Sequence, residues 1–286
     1  MLGIFVWQAR CNLGTIQTVN KGENRKMRTC RILIIRSTSF YGGAERQIVG
    51  FASRLDKRLF DPVICGFKDD IVPGNAFLKI AAEQGLATAL ILSTKGFDAK
   101  AINDLSAIVT SEKVDLLCPQ DYRADFYARI VGHRLKIPVV ATAHGFTGHT
   151  RNVQLYEAFD RLIVLRGMNR VICVSQAVVE RLRRCGIPRT KLKRVYNSID
   201  VMEADPPIDK PRGSITVCSV GRLSVEKGHR FLIQAWQTIC KRFPSARLLL
   251  VGDGPERARL SELALDLGIA SSVEFAGFTD TPMDYI

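Results

Sequence analysis

The sequence predicts a doubly wound α/β protein of two domains, and three observations carry that reading. Short, almost uniformly apolar runs recur along the chain, helical periodicity fills most of the intervals between them, and one proline-rich polar interval at residues 205–211 has neither period. Strands that are apolar throughout belong to parallel sheets covered on both faces by helices, and their alternation with helices is the pattern of an α/β fold.

The elements follow in order. Strands are expected at residues 31–36, 62–67, 89–92, 115–119, 139–143, 170–174, 193–195, 215–220, 246–251 and 272–275, where β-branched and other apolar side chains run together between polar or glycine boundaries. Helices are expected at 44–55, 76–84, 99–111, 125–135, 176–185 and 255–267, the last beginning at Pro255, a residue suited to a first helical turn. Beyond residue 228, Phe231, Leu232, Ala235, Trp236 and Ile239 recur at helical spacing.

Residues 1–27 carry little periodicity and end at Met27, so they read as an upstream extension outside the fold. A first domain then covers 28–204, a linker 205–211 and a second domain 212–286. The second domain has three strands, which is half of a two-half doubly wound sheet. It is therefore expected to be incomplete, with the outer side of the 215–220 strand exposed and prone to association.

At 286 residues, 47% hydrophobic and 24% charged, the composition is that of a soluble globular protein. The eight cysteines form no C-x-x-C pair and several end apolar runs, so they read as small buried hydrophobes in a reducing cytoplasm rather than a disulfide framework or zinc site. No apolar run is long enough to span a bilayer. The formal charge of +13 points to an acidic partner. Between residues 151 and 200, eleven Arg and Lys stand against four Asp and Glu, with Arg181, Arg183 and Arg184 on one expected helix. Interleaved with apolar residues, this basic segment fits an anionic membrane face or a solvated helix surface. Zinc-finger spacing, RRM-type aromatic motifs and a basic tail are absent, which argues against nucleic acid.

Three strand-to-helix loops have the chemistry of a phosphate site. Residues 219–228 carry Arg222, Glu226 and Lys227 between glycines, and helix amides with two cations would neutralise a diphosphate there. An ordinary solvated turn fits that segment equally well. Gly42 and Gly43 follow the first strand and open a helix. Gly252 and Gly254 do the same after the 246–251 strand, but Arg257 stands where G-x-G-x-x-G would place its third glycine. Of the four histidines, His144 lies at the carboxyl end of the 139–143 strand, where ligands of open α/β sheets collect, and His149 is close by. His133 and His229 read as structural.

The motifs Gly42-Gly43-Ala44-Glu45, Ala143-His144-Gly145, Val174-Ser175, Tyr196 to Asp200, Val220-Gly221-Arg222 with Glu226-Lys227-Gly228, Leu250 to Pro255 and Val273 to Gly277 occur in the order seen in GT-B glycosyltransferases of family 4. From about residue 31 onward the chain resembles that family. The resemblance implies two Rossmann-like domains facing a cleft, and retaining transfer of a sugar from a nucleoside diphosphate sugar to a lipid-linked or polysaccharide acceptor. It implies no metal and no cofactor besides the sugar nucleotide. Arg222 and Lys227 would hold the donor diphosphate, His144 would contact the donor sugar, Gly42 and Gly43 would admit the phosphates or the acceptor, and Phe275 and Gly277 would line the base pocket. A cytoplasmic protein at the inner membrane face is the implied setting.

Two departures limit the resemblance. The family's Glu-x7-Glu element is not found in the sequence, and Tyr196 and Ser198 replace the usual proline and glycine. A nucleoside diphosphate sugar epimerase and a non-catalytic membrane- or partner-binding module stand as alternatives.

Overall fold

The computed structural model describes residues 28–38, 41–68, 74–92, 98–146, 151–197, 215–279 and 281–285. The expected extension, the linker, His149 and Ser198 lie outside the described residues. The chain divides into two compact units, residues 1–201 and 202–286.

The first unit holds β1 (Cys30–Arg36), α1 (Gly43–Ser53), β2 (Phe60–Phe67), α2 (Ala76–Glu83), β3 (Ala87–Ile91), α3 (Ala99–Ser111) and β4 (Leu116–Pro119). It continues with α4 (Tyr122–Leu135), β5 (Val140–Ala143), α5 (Arg151–Phe159), β6 (Arg170–Cys173), α6 (Gln176–Arg184) and β7 (Leu192–Arg194). The strands pair in parallel in the orders β3-β2-β1-β4 and β5-β6-β7. A parallel bridge between Leu117 and Val139, with the Leu117 N–H donating to Pro138 O at 3.0 Å, makes the second set continue the first. The order reverses between β1 and β4, and their carboxyl ends flank the crevice where such sheets bind ligands.

Alternation within the strands builds two cores. Ile32, Ile34 and Ile64 face Ile48, Val49 and Ala52 of α1 and Phe77 of α2. Leu33, Ile35, Val63 and Cys65 face the other way, with Leu105 of α3, Tyr127 of α4 and Leu182 of α6. Helix starts are fixed by side chains: Asn75, Asp98, Asp121 and Ser175 each accept backbone N–H groups of the helix that follows. Cys65, Cys118 and Cys173 are buried in these layers, and burial pushes each thiol up to about 12, as inert core cysteines require.

Helix α5 and the π-helical turn that extends it (Asp160–Val164) were not among the expected helices. Their large apolar side chains, Leu155, Tyr156, Phe159, Leu162 and Ile163, are exposed. In α6, Val178 and Leu182 are buried, whereas Arg181, Arg183 and Arg184 are exposed. The exposed apolar stripe of the basic region is thus on α5 and not on the arginine-rich helix. No helix among the described residues is long and apolar enough to cross a membrane.

The second unit holds β8 (Thr216–Val220), α7 (His229–Arg242), β9 (Arg247–Val251), α8 (Arg257–Asp266) and β10 (Val273–Gly277), with parallel order β10-β9-β8. Its core is Leu223, Ile233, Trp236, Leu248, Leu250, Leu260 and Ala264 with smaller neighbours. Among the described residues strand β8 lies at one end of this order, with Ile215, Val217 and Val220 exposed. The inward face of α7 differs from expectation: His229, Ile233 and Trp236 are buried, while Phe231 and Ile239 are exposed. Trp236 settles the rotation, because its indole N–H reaches Ser272 Oγ at 3.1 Å while its ring fills the core.

Two carboxyl groups are buried where α4 meets the π-helical turn. Asp125 and Asp160 each retain an Oδ1 with no hydrogen-bond partner. Burial, and next a neighbouring aspartate, hold both above the ordinary carboxylate range, Asp160 at about 8. A carboxyl that binds its proton more tightly folded than unfolded loses stability as pH rises from the unfolded pKa to the folded one. Asp160→Asn is therefore expected to raise the melting temperature, with a larger gain at pH 8 than at pH 5. Calorimetric scans of both proteins across that range check the sign.

Candidate functional site

The candidate groups of the first unit sit at the carboxyl ends of β1, β4 and β5. Arg36 ends β1 and is mostly buried. Its Nε donates to Glu45 Oε1 at 2.8 Å, its guanidinium donates to Gln120 O at 2.8 Å, and Asp121 Oδ2 lies 3.9 Å away. Glu45, in the first turn of α1, also accepts the Gly42 N–H at 3.0 Å. Asp121 caps α4 through Arg123 and Ala124 N–H and receives both the N–H and the hydroxyl of Ser37 at 2.7 Å. The loop after β1 is thereby fastened to the start of α4.

Gly42 and Gly43 were expected to admit phosphates or an acceptor. A side chain at Gly43 would meet nothing within 4 Å, so its surface is open. The positive end of α1 is already matched by the Glu45 carboxylate, which favours a hydroxyl-bearing group over a phosphate beside it.

His144 follows β5 directly, and its Nε2 lies 2.9 Å from Gln120 Oε1. The Gln120 amide donates to Cys118 O and Thr142 Oγ1, both at 3.2 Å, so its Oε1 faces the imidazole. That assigns the proton to His144 Nε2 and leaves Nδ1 as the acceptor nitrogen. Burial first, and the Arg36 charge next, depress its pKa to about 4. His144 is a neutral hydrogen-bonding group at physiological pH.

In the second unit, Arg222 and Lys227 are exposed on the loop between β8 and α7, and Gly228 turns into the helix with φ +69°. This loop is interlocked with the one after β9. Gly221 N–H donates to Val251 O, Leu223 N–H to Asp253 O, and Glu256 N–H to Leu223 O, at 2.9–3.0 Å. A Cβ on Gly252 would stand 2.1 Å from Gly221 O, and one on Gly254 2.4 Å from Leu223 O. The glycines expected to serve a phosphate directly instead let the two backbones touch, which fixes the arginine-bearing loop. Gly252 N–H also donates to Gly277 O at 2.7 Å, tying in β10.

Phe275 packs against the core and is only partly buried, with Gly277 two residues further along β10. Arg257, which broke the glycine motif, lies 3.6 Å from Asp253 and 3.5 Å from Phe275 O. His229 is buried beside this loop with an unpartnered Nδ1, and burial lowers its pKa. The sequence reading missed Arg36, Gln120 and Asp121. A signal was present, since polar Gln120 and Asp121 interrupt the chain at once after the apolar β4. Among the described residues no three His, Cys, Asp or Glu side chains converge as a metal site.

Two α/β units with parallel sheets and ligand-type loops at their carboxyl edges define the GT-B architecture. A solved structure from Anabaena, Alr3699/HepE in complex with UDP and glucose, matches with a TM-score of 0.69 at 20% identity, over 87% of this chain and 69% of that one. Residues 41–203 match the model of Glycosyltransferase Family 4, and residues 200–286 that of Glycosyl transferases group 1. The chain belongs to glycosyltransferase family 4. An uncharacterized glycosyltransferase of Haemophilus influenzae is 42% identical over 82% of this chain and 65% of its own length. The lipopolysaccharide core biosynthesis glycosyltransferase LpsE of Rhizobium meliloti is 32% identical over 44% of this chain and 37% of its own. The chain thus spans less than two thirds of these relatives.

Gly254→Ala should destabilise the second unit by about 1–3 kcal/mol, because a backbone carbonyl cannot move aside for the methyl. Denaturant unfolding followed by Trp236 fluorescence reads that loss. Separately, nitrogen-15 shifts of the His144 ring are expected to show the neutral Nε2–H tautomer unchanged from pH 8 to pH 5.

Proposed function

We propose that this chain carries the sites for retaining transfer of a sugar from a nucleoside diphosphate sugar to a lipid-linked or polysaccharide acceptor. The interlocked loops of the second unit carry the reading. They hold Arg222 and Lys227 on a fixed backbone, where two cations offset the charge that develops on a departing diphosphate. Because the loop is preorganised, little rearrangement is needed as that charge grows. His144, neutral and with Nδ1 as acceptor, orients a donor-sugar hydroxyl. Gly43 gives hydroxyl groups backbone access at the edge of the first sheet, and Gly277 with the β10 backbone borders the base.

HepE was solved with UDP and glucose, which makes uridine nucleotides the first donors to test. The lipopolysaccharide role in the name of LpsE favours a glycolipid or polysaccharide acceptor. Peripheral attachment to an anionic membrane is supported by the exposed stripe from Leu155 to Ile163 and the exposed arginines of α6.

Thermal unfolding with UDP, GDP, ADP and their sugars, beside an Arg222→Ala, Lys227→Ala double variant, tests the reading. One nucleotide series should raise the melting temperature of the parent protein but not of the variant. A ligand at a hundred times its Kd adds about 2.7 kcal/mol. Absence of any shift, or an equal shift in the variant, would remove these two residues from a donor site.

A further inference from the structure

A separate cavity of about 250 Å³ opens in the first unit, lined by Phe146, Gln154, Glu157, Arg161 and Arg181. Phe146 comes two residues after His144. Gln154 and Glu157 come from α5, Arg161 from the π-helical turn and Arg181 from α6. Arg161 and Arg181 hold their guanidinium carbons 4.7 and 5.2 Å from the centre of the Phe146 ring. Such stacking restrains each guanidinium while leaving its edge N–H groups for a ligand.

The charges do not balance within this cavity. Glu157 reaches Arg161 at 3.9 Å, and both side chains are largely buried, 13% and 15% exposed. Arg181 has no carboxylate partner among the described residues. Two cations against one anion, around an aromatic ring and beside a carboxamide, leave a surplus positive charge in a concave space where Arg161 is largely buried and Arg181 is exposed. There a charge-assisted bond is stronger than at an open surface. With about 30 Å³ of liquid volume per water molecule, the space admits several waters or one phosphate with part of its substituent.

We infer that this cavity is an anion subsite for a phosphate or diphosphate group of the sugar acceptor, held by Arg161 and Arg181. The inference deepens the transferase reading, on which the word acceptor rests. The site's affinity for phosphate stands without it. The phosphate comes either from a lipid headgroup or from a soluble phosphorylated saccharide, and both present the same tetrahedral oxyanion to the two forks.

The test uses the Arg222→Ala, Lys227→Ala protein as background, so that the donor loop contributes nothing. Inorganic pyrophosphate and glycerol phosphate are titrated by calorimetry at constant ionic strength. Binding is expected, and Arg181→Gln should weaken it about tenfold, the loss of one charge-assisted hydrogen bond. Glu157→Gln, which removes the competing carboxylate, should tighten it. A parallel arm measures sedimentation with phosphatidic acid vesicles against phosphatidylcholine vesicles. Arginine-dependent binding in the soluble arm supports the site and a soluble source, and in the vesicle arm alone it supports the site and a lipid source. Binding unaffected by Arg181→Gln, or no binding in either arm while circular dichroism shows the variants folded, would overturn it. Arginine-dependent phosphate binding, where the parent protein shows no nucleotide shift, would retain the anion site and remove Arg222 and Lys227 from a donor site.

Discussion

The Arg36 guanidinium is the interaction on which the first sheet's working edge depends. A buried cation is tolerated only where carboxylates and carbonyls surround it, and removing one partner of such a group costs about 3–5 kcal/mol. Here the partners are Glu45 from α1, the Gln120 carbonyl from the end of β4 and Asp121 from the start of α4. One side chain therefore joins the two strands at which the sheet reverses its order. The same charge helps keep His144 neutral, and Gln120, whose carbonyl Arg36 binds, fixes the imidazole through its side-chain amide. Arg36 thus fixes the geometry of the edge and, after burial, is the next cause of its histidine's neutrality.

The second unit solves the same problem by shape instead of charge. Its loops are held by backbone touching backbone, which glycine alone permits, so Arg222 and Lys227 need not be consumed in structural ion pairs. Both stay exposed. A loop braced by arginine–carboxylate pairs would offer a diphosphate less uncompensated charge than one braced by Gly252 and Gly254.

Much of the fold was readable in the sequence, because uniformly apolar strands between periodic helices leave few arrangements other than parallel sheets. Residues 31–36 and 246–251, read as strands, are β1 and β9 to within a residue. What escaped was set by tertiary contacts. Helix α5 was missed although Leu155, Tyr156, Phe159, Leu162 and Ile163 recur at helical spacing, and the stripe that spacing makes is exposed in the structure instead of buried. The rotation of α7 was misread because apolar residues occur around its circumference, and the hydrogen bond from Trp236 to Ser272 decides which are buried. Among the candidate residues, His144 in the first unit and the Arg222–Lys227 pair in the second stood out as rare or charged residues near strand ends. Gln120 and Asp121 did not, because their importance lies in partners at Arg36, Ser37 and Thr142, up to 84 residues away. The glycines after β9 were recognised as special, but only the structure shows that the close approach is to another loop.

The candidate groups of the two units differ in electrostatic character. An imidazole titrating near 4 cannot carry positive charge toward a leaving diphosphate at neutral pH, nor is it basic enough to abstract a proton efficiently from a sugar hydroxyl. Its capacity is directional: one N–H committed to Gln120 and one lone pair free to accept from a hydroxyl. In the second unit, Arg222 and Lys227 are exposed cations of the kind that can meet developing charge. In the proposed transfer, charge accumulates on a leaving phosphate while the sugar is held by neutral hydrogen bonds. Glycosyl transfer from a nucleoside diphosphate has that distribution, whereas proton abstraction at a sugar carbon would require a base that His144, as it is placed, does not supply.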